Sequence, residues 1–130
     1  MELGFVVIIV VVCLLVLLVW KLGHKKKLSA STVIKYSAKI RKTSTLDPAH
    51  AVMEAHKIFV TALAKLFNNK NLTAAQKIAK IQKRLPNPAK IWQHHNLRNK
   101  IAHETDVEVT KRQAKKARYD FIKALEKLGK

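Results

Sequence analysis

Arg98, Asn99 and His103 are the residues of this 130-residue chain whose types and spacing could carry chemistry. They lie in W-Q-H-H-N-L-R-N-K-I-A-H-E, Trp92 to Glu104, the one place where polar residues of reactive type interrupt an apolar helical pattern. A guanidinium of fixed charge can hold a phosphate, an amide both donates and accepts, and an imidazole moves a proton near neutral pH. At 100° per residue, Ile91, His95, Arg98 and Ala102 fall near one helical line, whereas Arg98 and His103 stand roughly 140° apart. A site that uses both therefore needs a distorted last turn or a second copy of the chain. The helix dipole would favour a protonated His103 near a helix C-terminus. The same residues also have structural uses: an Arg bridging to Glu54, Glu104 or Asp106, and a His capping the last carbonyls.

Other chemistry is thinly represented. His94 and His95 are adjacent, so on a helix they point about 100° apart, and no pair shows the H-E-x-x-H spacing of a helical zinc site. Neither a metal nor a cofactor is expected. The single cysteine, Cys13, sits in an apolar run, so neither a disulfide nor a thiolate metal site can be built within the chain. The charge is more informative. All 26 Lys and Arg, but only seven of the eight acids, lie from Lys21 onward, which leaves that part at +19 with His neutral. Such a surface favours anionic partners, nucleic acid or an anionic membrane face, although it can also be merely solvated. Lys100 beside the motif, with Lys111, Arg112, Lys115, Lys116 and Arg118 on the next helix, could follow an RNA backbone. Trp92 reads more readily as a core or dimer anchor than as a base-stacking platform.

The elements that must position these residues are helical. Leu3 to Trp20 is 18 residues without a charge, spanning roughly 27 Å as a helix against a hydrocarbon core of roughly 30 Å. A lone strand rich in Val and Ile would leave its backbone unpaired in lipid, so a helix is expected. The start Met1-Glu2 and the lack of a small-residue cleavage pattern argue against a signal peptide. Residues 1–22 are read as a transmembrane anchor. Lys21, Lys25, Lys26 and Lys27 follow it at once, which puts the N-terminus outside and the C-terminal part in the cytoplasm. Residues 23–45 are read as a basic juxtamembrane linker. Its stripe Val33, Tyr36 and Ile40 also allows an amphipathic helix lying on anionic lipid between Lys21 and Arg41.

From residue 46 to 130 the punctuation predicts four helices. Asp47-Pro48 is a cap followed by proline at the first helical position, and Val52, His56, Phe59, Val60, Leu63, Leu66 and Phe67 recur at three and four. Thr73 with Gln76 forms a capping box before Ile78, Ile81 and Leu85. Asn87-Pro88 opens a third helix to about His103, and Thr110 with Gln113 opens a last one that Gly129 closes. With short turns and no hairpin signal, the expected fold is all-α: one transmembrane helix and an antiparallel four-helix bundle.

The run L-R-N-K-I-A-H-E resembles the signature of the HEPN superfamily, an Arg, usually with Asn next, and a His after a short gap. The layout from about Leu46 to Leu128 is similar to that of HEPN bundles, which carry the motif late in the chain before a final long helix. The fuller form W-x-x-H-x-L-R-N-x-I-A-H-E is similar to that of small bacterial proteins that also carry an N-terminal membrane anchor. The resemblance implies a homodimer with two facing motifs. In active members these form a metal-independent ribonuclease site. Carried over, Arg98 holds the scissile phosphate, His103 acts as general acid or base, and Asn99 orients them. Other members are non-catalytic and serve as binding or scaffold domains, which leaves two expectations: an RNA-binding or RNA-cleaving module, or a docking domain at the membrane.

Overall fold

The computed structural model describes residues 2–23 and 26–130, which leaves Lys25, one of the four lysines that set the expected orientation, outside the described residues. The described residues form helices and turns with no strand. The apolar run becomes α1, Glu2–Gly23, of which Glu2–Leu22 is long and apolar enough to cross a membrane. The remaining helices are α2 (Ala30–Lys42), α3 (Pro48–Leu63), α4 (Ala74–Ile81), α5 (Pro88–His103) and α6 (Lys111–Leu128). Short 3-10 turns extend α2, α3 and α4.

Local capping chemistry sets most of these boundaries. Ser29 accepts from the backbone N–H of Thr32 at the start of α2, and Asp47 from that of His50 at the start of α3. Thr73–Gln76 and Thr110–Gln113 form complete capping boxes, each satisfying two orphan donors. Asn87 departs from expectation. Its side chain makes no cap hydrogen bond, and α5 starts on Pro88 alone. Gly129 is itself the C-cap of α6 and has a right-handed φ of −90°, so it is not there to adopt a left-handed turn. A Cβ at this position would stand 2.7 Å from Cγ2 of Val33, so Gly129 is small because α2 crosses it closely.

That crossing belongs to the main correction. Residues expected to form a linker pack into the bundle as α2, against α3 and α6, and Tyr36 and Ile40 are core residues. The stripe Val33, Tyr36 and Ile40 faces protein, not lipid. The bundle thus has five helices, and its boundary lies near Leu28, not at residue 46. Leu28 is buried, and its backbone N–H donates to Leu128 at 3.0 Å. Arg84, in the turn after α4, donates to the carbonyl of Lys26 at 2.9 Å. α3 and α6 form the centre, where Phe59 stacks on Phe121 with ring centroids 4.7 Å apart. Val52, Leu63, Ile78, Ile91 and Leu125 close around them.

α5 is attached differently. Its buried residues are Ile91, His94 and His95, so two of its three inward positions are imidazoles. A buried imidazole is stable only if its ring nitrogens find partners. Here each finds one on a different helix.

Candidate functional site

His94 Nε2 lies 2.6 Å from Oδ2 of Asp120 on α6. His95 Nδ1 lies 2.9 Å from Nε2 of His56 on α3. On its other side His95 Nε2 is 3.3 Å from Nδ2 of Asn99, whose Oδ1 accepts from Nη1 of Arg98 at 3.2 Å. Arginine only donates, so Asn99 Oδ1 accepts and its Nδ2 donates to His95 Nε2. His95 then carries its proton on Nδ1 and donates it to His56. The polar line Arg98–Asn99–His95–His56 has one direction, running from the flank of α5 into the core.

Electrostatics agree with two neutral rings. Burial, then the repulsion a proton on His56 would meet from one on His95 and from the Arg98 guanidinium, push His56 from the ordinary 6.5 down to about 4. Burial and the Arg98 guanidinium also push His95 down. The two rings are packed as well as bonded. Trp92 and His95 meet edge to face, as do His56 and His94 with Phe121.

The expected site residues do not all converge. Arg98 lines a groove of about 300 Å³ between α3, α4 and α5, with Glu54, His56 and Lys57, and forms none of the expected bridges to an acid. His103, in the last turn of α5, is exposed and makes no side-chain hydrogen bond or ion pair with the described residues. Asn99 touches Arg98 and His95, not His103. Within one copy, then, Arg98 and Asn99 form a unit and His103 stands apart.

The basic residues sort into separate surfaces. Lys100 and Lys116 line one groove of about 580 Å³ between α5 and α6, together with Trp92, Leu97, Gln93, Asn96 and Gln113. Lys111 lines another, of about 560 Å³, with Ser44, Asp47 and Arg118. Arg112 and Lys115 are exposed. Lys90, which sequence reasoning passed over, stands beside Lys116. Its proximity and like charge push the Lys116 ammonium below the usual lysine range, which the Asp120 carboxylate partly opposes. Trp92 donates its indole N–H to Gln82 at 2.9 Å, which fixes the ring at the groove edge.

Sequence reasoning also missed the His56–His95 pair and the His94–Asp120 contact. The one available signal was the placement of His95 on the Arg98 line, three residues away, and of His56 in the apolar stripe of α3. Among the described residues no group of three or more His, Cys, Asp or Glu could hold a metal ion. No family model, no curated protein and no solved structure matches the chain.

Proposed function

We propose that this chain is a single-pass membrane protein whose HEPN-like helical bundle, on the cytoplasmic side, binds single-stranded RNA along α5 and α6. The observation that carries the reading is the groove that Lys100 and Lys116 line together with Trp92 and Leu97. The like charge of Lys90 presses on Lys116 more than Asp120 relieves it. An anion offsets that repulsion, and the Trp92 ring lining the same groove offers a base a surface to stack on. The charge of +19 beyond residue 20 supplies the longer-range attraction.

Fluorescence anisotropy of the full chain in detergent with labelled RNA tests it. Affinity is expected to fall steeply with salt. Lys100→Ala with Lys116→Ala should weaken binding and flatten the slope of log K against log salt by up to about 1.4, at about 0.7 per phosphate contact on a single strand. An affinity indifferent to both salt and these substitutions overturns the reading and leaves a protein-docking scaffold in its place.

Cleavage is a second reading, and Arg98 favours it, since it spends one donor on Asn99 and faces a groove with the others. Because His103 stands apart from Arg98, cutting needs a homodimer in which the second copy brings its own motif. Metal-independent cleavage that disappears in His103→Ala, with RNA binding retained, is the expected signature. Cleavage that persists in that variant removes His103 from the mechanism.

A further inference from the structure

α2 turns its Tyr36–Ile40 face into the bundle, and what it leaves outside is unusual. Ile34 is 69% exposed, and among the described residues beyond α1 the only other large hydrophobic side chain so exposed is Tyr119. Ala30 lies one turn before Ile34 on the same side, with exposed Lys27 and Lys35 nearby in sequence. Helical side chains lean toward the helix N-terminus, so Ile34 leans back over Ala30 toward the start of α2.

The start of α2 is also where the chain is tethered. Three peptide units separate Gly23 from Lys26, so their Cα atoms are at most about 11 Å apart. Lys26 is held by Arg84, and Leu28 by Leu128, so the turn after α4 and the end of α6 gather at the same end. Exposed there are Lys26, Lys27, Lys83, Lys127 and Lys130. The one acid nearby, Glu126, already faces Lys123 at 3.5 Å.

We propose that this end of the bundle rests on the anionic headgroups of the membrane that α1 crosses, with Ile34 entering the boundary between headgroups and acyl chains. The proposal builds on the transmembrane reading of α1 and is independent of RNA. Helix α1, roughly 31 Å over Glu2–Leu22, fills a core of roughly 30 Å, which leaves the tether in the headgroup layer. Lysines near an anionic surface are attracted within a Debye length, and an apolar side chain among them adds burial. The lipid-facing side of α2 is then the reverse of the one its apolar stripe suggests.

The full chain is reconstituted in vesicles of phosphatidylcholine, or of equal parts phosphatidylcholine and phosphatidylglycerol. Bimane is attached at one position, and quenching is read with lipids spin-labelled high in the acyl chain for positions 34 and 44, and near the chain end for position 13. Native Cys13 reports on the anchor. Ile34→Cys and Ser44→Cys, each with Cys13→Ser, report on the tethered and far ends of α2. Quenching is expected at position 13 in both lipids, several-fold stronger at 34 than at 44 in the anionic vesicles, and reduced at 34 by Lys83→Glu with Lys127→Glu. Quenching at 13 with equal signals at 34 and 44 overturns the docking and spares the anchor. No quenching at 13 overturns the anchor itself. A signal at 34 that ignores both phosphatidylglycerol and the charge reversals overturns the electrostatic contact.

Discussion

His56 and His95 show how a polar pair can serve as a helix-packing contact at one pH and not another. Both rings must be neutral for the one-way line from Arg98 to close, and both are held neutral by burial and by the neighbouring guanidinium. A His whose folded pKa is depressed makes stability fall with acid. Between pH 6.5 and about 4 the unfolded chain takes up a proton at His56 that the folded bundle refuses. Stability attributable to this residue is therefore complete above about 6.5, declines as pH falls, and levels off below about 4. That interval corresponds to roughly 3 kcal/mol. Thermal melts of the full chain across this range should show the decline, and His56→Gln should flatten it at a lower overall stability. A melting temperature constant across the interval would contradict the buried neutral pair.

At the scale of elements, Gly129 ends α6 without a left-handed turn, and its smallness serves the crossing of α2. Gly129→Ala should destabilise the bundle by about 1–3 kcal/mol, the usual cost of overpacking. Val33→Ala in the same chain should recover part of it, and chemical denaturation of the four variants measures the coupling. Full additivity would show that the two residues do not compete for the same space. The contrast with other helix ends explains what could be read from sequence. Asp47, Thr73 with Gln76, and Thr110 with Gln113 act on backbone groups within three residues, so their spacing is visible in one dimension. The destination of α2 is not. Val33, Tyr36 and Ile40 look alike whether they meet lipid or protein, and only the three-dimensional positions of α3 and α6 decide it. His56 and His95 are hidden for the same reason, being 39 residues apart and each consistent with its own helix. The motif around Arg98 is conspicuous because it is short and local, whereas its link to the core is long-range.

Across the whole molecule, the bundle begins at its tether. Leu28, Tyr36 and Ile40 bury enough apolar surface to contribute on the order of 5 kcal/mol, comparable to the entire stability of many small domains. A fragment of residues 46–130 should therefore lose cooperative unfolding, whereas residues 26–130 should melt in one transition. Circular dichroism on both tests this, and a cooperative melt of the shorter fragment would refute the five-helix unit. The tether bears on pairing too. If α1 anchors each copy in one membrane as proposed, the copies share the same up and down, and any two-fold axis relating them runs along the membrane normal. Equal residues then lie at equal height, and partners in opposite up–down orientation are excluded. Confinement to a shared surface would also raise the effective concentration of copies for one another. Solubilised chains tumble without that restriction. If two anchored copies pair as proposed, their His103 side chains sit level with each other, and a pairing geometry found in micelles bears on that assembly only if it keeps them level.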